Sequence, residues 1–287
     1  MTDSPDISAH EGYLSDAENA AEMARLMIQD RMLNQAMGGL VPEPIDLSQV
    51  HQVLDIGCGP GGWLLDLITQ YPHIQGVGID ISHLMMEYAT SLATSQGLSN
   101  VEFCVMDATQ PLQFADNTFD LVNGRILMGF LLTSQWSSLL QECYRITRPG
   151  GIVRLTEGEW GFTNSAALDK FSSLAALSFY QAGHSFSPRG RTFGTAAVLP
   201  QLLRQAGYQD IQHKAYAIDF SAGTAIHENN VQNLLIVYKL LQPLFVQMHL
   251  VSQEELQSVY AQLEEEIQTE NFCGMDYFST VLGYKDK

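Results

Sequence analysis

The segment Val53-Leu54-Asp55-Ile56-Gly57-Cys58-Gly59-Pro60-Gly61-Gly62 sets the narrowest limits on how this chain folds. A short apolar run, Gln52–Ile56, enters a cluster of glycines, and a run with helical spacing, Gly61–Gln70, leaves it before Pro72. Glycines placed there let the backbone turn sharply, approach a ligand and present amides at a helix N-terminus. The same rhythm continues downstream. Ile74–Asp80 reads as a second strand, and Ser82 caps a helix that ends at Gly97. Val101–Met106 is a third strand, Phe119–Asn123 a fourth and Ile152–Glu157 a fifth, with a helix over Ser134–Thr147 and a turn at Pro149-Gly150-Gly151. Strands alternating with helices at this spacing predict βαβ units and a doubly wound parallel sheet, an α/β fold.

After Glu157 the alternation breaks. Asn164–Ala182 reads as a helix, His184–Thr195 as a loop, Ala197–Ala206 as a helix and Asp210–Phe220 as a strand. Glu228–Leu250 and Ser252–Glu270 follow as helices, the second opened by a capping box of Ser252 and Glu255, and Cys273–Tyr284 is a last strand. At the other end, Ser15 and Glu18 form a capping box for a helix reaching about Met37, and Pro42 and Pro44 mark a linker. This division predicts an N-terminal cap helix over residues 1–44. A sheet-bearing domain follows over 45–287, with cap insertions at about 160–195 and 226–270.

Charge removes several classes of partner. The chain has 32 Asp and Glu against 14 Lys and Arg among 287 residues, a formal net charge of -18. That excess repels phosphate backbones, so no nucleic acid and no anionic membrane surface is expected as partner. The most apolar stretch, Val231–Val251, is interrupted by Lys239, Pro243 and His249, which reads as a buried helix and not a membrane span. The four cysteines form no CxxC pair, and free thiols fit a reducing compartment. The acidic start MTDSPDISAH is unlike a signal peptide. A cytoplasmic monomer or homodimer is expected.

Gly57, Gly59 and Gly62 also satisfy the dinucleotide GxGxxG spacing, so that spacing alone does not choose a cofactor. Context does. Asp80 ends the second strand 23 residues after Gly57, where a carboxylate accepts hydrogen bonds from two ribose hydroxyls. Asp55 stands just before the glycines, where a second carboxylate disfavours a pyrophosphate and favours an ammonium or sulfonium. Met106-Asp107-Ala108, Phe119-Asp120-Leu121-Val122 and Arg148-Pro149-Gly150-Gly151 follow in order.

With these five motifs the sequence resembles the class I S-adenosylmethionine-dependent methyltransferases, most of all the small-molecule branch that includes ubiquinone-biosynthesis-type enzymes. The resemblance covers about Gln52 to Glu157. It implies a Rossmann-like, seven-stranded, mostly parallel sheet with a helical cap, and S-adenosyl-L-methionine as cofactor. It implies that Gly57, Cys58 and Gly59 line the methionine part, that Asp80 binds the ribose and that Ile81 packs on the adenine. Asp107 would accept from the adenine amino group and Ala108 would give its backbone N–H. Asn123, Gly124 and Arg125 would border the methionine moiety and the acceptor. Tyr13, Arg25 and Gln29 belong to the N-terminal segment that closes over the methionine end in related enzymes, and Arg25 and Gln29 share a helix face.

Methyl transfer is an in-line displacement, so the enzyme aligns three centres and excludes water. An amide-Pro-Pro motif after the fourth strand, which marks nucleobase amine methylation, is replaced by Asn123-Gly124-Arg125, and Cys104 follows Phe103 instead of a proline. No Asp/Asn set matches a catechol-type magnesium site, and no metal is expected. Glu157, Glu159 and Trp160 follow the fifth strand at the edge where ligands bind in open α/β sheets. Glu157 is one candidate general base, and His184, in Gly183-His184-Ser185-Phe186, is the other. Arg189 and Arg191 are candidate anion binders. The expected activity is methyl transfer to a small, partly apolar acceptor, with O- or C-transfer preferred. Two alternatives are the same fold catalysing a non-methylating reaction and a non-catalytic binding protein.

Overall fold

The computed structural model describes residues 18–287. Its strands are β1 (Gln52–Ile56), β2 (Gln75–Asp80), β3 (Val101–Val105), β4 (Phe119–Arg125), β5 (Thr147–Thr163), β6 (Gln209–Asp219) and β7 (Gly274–Tyr284). They form one sheet in the order β3-β2-β1-β4-β5-β7-β6. All pairings from β3 to β5 are parallel, and β7 runs antiparallel between β5 and β6. Val53, Leu54 and Ile56 are all fully buried, because helices cover both faces of the parallel half. The architecture is the doubly wound, Rossmann-like, seven-stranded one that the sequence implies.

The helices are α1 (Ala20–Met37), α2 (Gly62–Gln70), α3 (His83–Ser95), α4 (Trp136–Ile146), α5 (Ala166–Gln181), α6 (Thr195–Ala206), α7 (His227–Gln247) and α8 (Gln253–Glu266). One core packs α4 and α6 on β1, β4 and β5 through residues such as Leu140, Leu199, Leu54 and Leu155. A smaller one packs Trp63, Leu64 and Leu67 of α2 on Val53 and Leu121. A third joins α1, α5, α7 and α8 to β6, with Leu33, Phe171, Tyr238 and Leu263 fully buried or nearly so. The apolar stretch at Val231–Val251 lies in this third core, and no helix among the described residues is long and apolar enough to cross a membrane.

Three local expectations change. Ser15 lies outside the described residues, and α1 opens at Asn19, whose side chain accepts from the Ala21 amide. Glu18 instead accepts from the amides of His83 and Leu84, at 2.8 and 3.1 Å, and so caps α3 across the fold. The turn expected at Pro149-Gly150-Gly151 is a bulge inside β5, where the register passes from Phe119↔Thr147 to Leu121↔Ile152. β5 also continues past Glu157 to Thr163, because antiparallel β7 supplies partners for its backbone as far as Thr163↔Gly274.

Candidate active site

β1 delivers the chain into Gly57, Cys58 and Gly59, and the Cys58 amide donates to the Ile79 carbonyl at 3.0 Å, which ties the loop to β2. Gly57 and Gly59 have φ of +62° and +52°, a region that side-chain-bearing residues rarely adopt. Among the described residues a Cβ at Gly59 would meet only Leu26 of α1, at 3.4 Å, so the backbone there lies open beneath α1. Asp80 holds the loop from the side: one oxygen accepts from the Gly59 amide and the other from the Ser82 amide, both at 3.0 Å. Burial raises the Asp80 carboxyl above its usual range.

Beneath the loop Asp55 is buried and accepts from Asn123 Nδ2 at 2.7 Å. Asn123 Oδ1 in turn accepts from buried Arg154 at 2.9 Å, and Arg154 pairs with Glu43 of the linker at 2.8 Å. Burial, against the pull of Arg125, pushes the Asp55 carboxyl up to about 6.

A cavity of about 230 Å³ runs from this loop under α1 and α7 to the far ends of β5 and β7. Residues spaced by three and four on each helix face it, including Glu22, Arg25, Gln29 and Leu33 of α1 and Asn230, Leu234, Val237 and Leu241 of α7. Met27, Met32, Trp160, Phe193 and Phe278 give it an apolar lining. Its two arginines are paired: Arg25 with Glu22 at 2.7 Å and with Asn233, and Arg125 with Asp30 at 2.5 Å and with Asn34. Asn230 is 1 % exposed, and its Nδ2 has no hydrogen-bond partner among the described residues. A buried amide donor left unpaired costs about 1–3 kcal/mol, which a ligand oxygen would recover.

Arg25, Gln29, Asp55, Gly57, Cys58, Gly59, Asp80 and Arg125 all line this cavity, together with Glu159 and Trp160. Ile81, Asp107 and Ala108 sit at the carboxyl ends of β2 and β3, outside its walls, and Asp107 accepts from the Thr109 amide and hydroxyl. Asn123 and Gly124 are buried in the sheet, so Asn123 reaches the site through Asp55. Arg189 and Arg191 are exposed and away from the cavity. Tyr13 lies outside the described residues.

Both base candidates are displaced from the cavity. Extension of β5 puts Glu157 inside a strand, fully buried, where its oxygens accept from the amides of Leu127 and Met128 at 2.8 and 3.4 Å. Burial pushes its carboxyl up to about 8. His184 is 1 % exposed, its Nδ1 lies 3.2 Å from the Met128 carbonyl, and burial lowers its pKa. These two residues hold the turn at Leu127–Gly129 and do not reach the cavity surface. Glu159 does reach it, but its carboxylate is engaged by the amides of Phe193 and Gly194.

Sequence reasoning passed over Asp30, Asn230, Asn233 and Asp276, which the fold brings to the cavity. A signal existed for the two amides, which stand three residues apart on a helix face that continues with Leu234, Val237 and Leu241. Asp276 is the sole acid within β7.

The donor set fits a nucleoside sulfonium. Each Asp80 oxygen is used once by an amide, and an ionised carboxylate has about four acceptor sites, so two ribose hydroxyls can be accommodated. Asp55 supplies negative charge under bare glycine backbone, and both wall arginines are neutralised. The "Methyltransferase domain" family model matches residues 53–151. The demethylmenaquinone methyltransferase of Geobacillus kaustophilus is 28 % identical over 189 residues, covering 62 % of this chain and 79 % of its own. The ubiquinone/menaquinone biosynthesis C-methyltransferase UbiE of Desulfotalea psychrophila is 30 % identical over 183 residues, covering 58 % and 69 %. The chain belongs to the class I S-adenosylmethionine-dependent methyltransferases.

This methyltransferase uses S-adenosyl-L-methionine and methylates a small substrate. Its fold also matches the crystal structure of the [4+2]-cyclase SpnF, with a TM-score of 0.53, 18 % identity and coverage of 96 % and 97 %. That likeness concerns the fold alone.

Proposed function

We propose that this methyltransferase acts on a small, largely apolar acceptor with an ionisable hydroxyl, of the hydroquinone class, by C- or O-transfer. The observation that carries this reading is the continuous cavity from Gly57–Gly59 to an apolar chamber whose charged groups are mainly acidic. Glu22, Asp30, Asp55, Asp80, Glu159 and Asp276 stand in its wall against Arg25 and Arg125, which are already paired. A phosphate-bearing acceptor finds no uncommitted cation among these residues, whereas an uncharged aromatic ring finds methionine, tryptophan and phenylalanine. The names of the quinone-methylating relatives agree with this chemistry.

When bound, the cofactor supplies an electrophilic methyl group on a sulfonium. Asp80 accepts from the ribose hydroxyls, with Ile81, Asp107 and Ala108 forming an adenine shelf at the sheet edge. Gly57, Cys58 and Gly59 bear the methionine part above Asp55, while Arg25, Gln29 and Asn230 hold its polar end or an acceptor oxygen. Residues 18–44 act as a cap through α1, and α1 and α7 exclude water. Alignment of this kind supplies roughly 7–11 kcal/mol of the barrier reduction. The free cysteines of the described residues suit a reducing cytoplasm.

The test is release of S-adenosylhomocysteine with naphthohydroquinone or phosphoethanolamine as acceptor. Turnover with the hydroquinone is expected. Turnover confined to phosphoethanolamine would refute the acceptor assignment.

A further inference from the structure

Beyond Thr156, the last residue of β5 paired with β4, the sheet continues as β5, β7 and β6, and residues of β5 and β7 there wall the cavity. The register there passes from Glu159↔Tyr277 to Phe162↔Met275, so Trp160 and Gly161 together oppose Asp276. Two residues against one is a β-bulge, a device that re-aims a side chain and gathers next to active sites. The bulge needs glycine: a Cβ at Gly161 would lie 1.8 Å from the Met275 carbonyl oxygen. Asp276 shares its strand face with Phe278, two residues on, and both line the cavity.

We propose, resting on the hydroxyl-bearing acceptor argued above, that Asp276 is the general base of this methyltransferase, aimed at the acceptor by the Trp160-Gly161 bulge. Its surroundings leave it available. Among the described residues one hydrogen bond reaches the carboxylate, from the Gly161 amide at 3.3 Å. No ion pair among the described residues includes it. From α7 it is faced by Leu234 and Tyr238, and from α5 by Ser172, whose hydroxyl is 3.1 Å from the Tyr238 hydroxyl. On β6 its register partner is Ile218, and the next residue, Asp219, is exposed. Further along the cavity stand Glu159 of β5 and the Glu22–Arg25 pair of α1. Burial with no cation beside it pushes the Asp276 carboxyl up to about 7, which suits proton removal near neutrality.

In the proposed step the acceptor hydroxyl gives its proton to an Asp276 oxygen. The electron pair left on the acceptor, on oxygen or by conjugation on the adjacent ring carbon, forms the new bond to the methyl carbon. The pair of the breaking sulfur–methyl bond stays on sulfur, which loses its positive charge. For C-transfer the ring proton then leaves to solvent, and Asp276 returns its proton to the acceptor oxygen, which restores the hydroquinone and the ionised base; for O-transfer Asp276 releases its proton to solvent.

The experiment measures naphthohydroquinone methylation from pH 5.5 to 9 in the wild type, Asp276→Asn and Asp276→Glu, with S-adenosylhomocysteine affinity by calorimetry beside it. The wild type should show kcat/KM rising through one step near 7. Asp276→Asn should lower kcat by about 10²–10⁴-fold and lose that step, with cofactor-product affinity unchanged, and Asp276→Glu should recover part of the rate and the step. A wild-type profile without the step, or an Asn variant that keeps rate and step, overturns the base. No methylation of this probe by wild type that still binds S-adenosylhomocysteine overturns the acceptor reading, and the base with it.

Discussion

Replacing Glu157 by Gln separates a base from a buried prop. The carboxyl moves from an ordinary value of 4.5 to about 8 in the folded chain, because burial disfavours its ionised form more than the Leu127 and Met128 amides favour it. A folded carboxyl that ionises later than the unfolded one lowers stability as pH rises, since the unfolded chain releases the proton first. The loss begins near pH 4.5 and is complete near pH 8. The rise from 4.5 to about 8, at about 1.4 kcal/mol for each tenfold change in proton affinity, gives about 5 kcal/mol across that window. Gln carries no such charge. The variant should therefore gain on the wild type as pH rises, and at roughly 2 °C per kcal/mol the difference in Tm should change by about 10 °C between pH 5 and 8.5. Thermal unfolding at several pH values reads this directly. A difference in Tm that stays constant with pH refutes the burial argument. A 10²–10⁴-fold fall in kcat, with the pH step gone and Tm behaviour unchanged, would instead restore Glu157 as the base.

Three further outcomes are expected. Asp80→Ala should weaken S-adenosylhomocysteine by about 3–6 kcal/mol, two charge-assisted bonds at 1.5–3 each, and calorimetry showing unchanged affinity would reject the ribose assignment. Gly59→Val should abolish binding and also lower Tm, because φ is +52° there and a branched side chain strains that region; a variant that binds normally shows that the loop is no cradle. Asp30→Asn should leave Arg125 without its carboxylate partner and speed amide exchange across Ala20–Met37, and exchange confined to wild-type rates would mean that this pair does not hold the cap.

The cofactor half was legible because its information is local. A strand, a glycine loop and a helix are contiguous in sequence, and Asp80 lies at a fixed place on the neighbouring strand. Asn123 shows the limit of that reading. Its place at the end of the fourth strand, through the family resemblance, implies contact with ligand, but it is buried in the sheet and bonds Asp55 and Arg154. The pairing of Arg154 with Glu43 joins residues 111 apart in sequence, and nothing in either neighbourhood announces it. Glu157 lies deeper than expected for a related reason. Its composition ended the predicted strand, whereas the true end was set by β7, more than a hundred residues later.

That long-range pairing also explains why the acceptor half sits where it does. Parallel strands β1 to β4 stop at a common carboxyl edge, and the cofactor loop opens there. An antiparallel partner is not bound by that edge. β7 enters the sheet from the opposite direction, so its first residues, Gly274 to Phe278, pair with β5 beyond the level at which β4 has ended. The overhang brings Trp160, Asp276 and Phe278 to the cavity that the glycine loop and α7 also line. Since α1 and α7 also line this cavity, a residue on the overhang is covered by those helices while still facing the cavity. A carboxylate in that position is desolvated enough to accept a proton near neutral pH and still faces open cavity, which Glu157, three residues deeper on β5 than Trp160, does not.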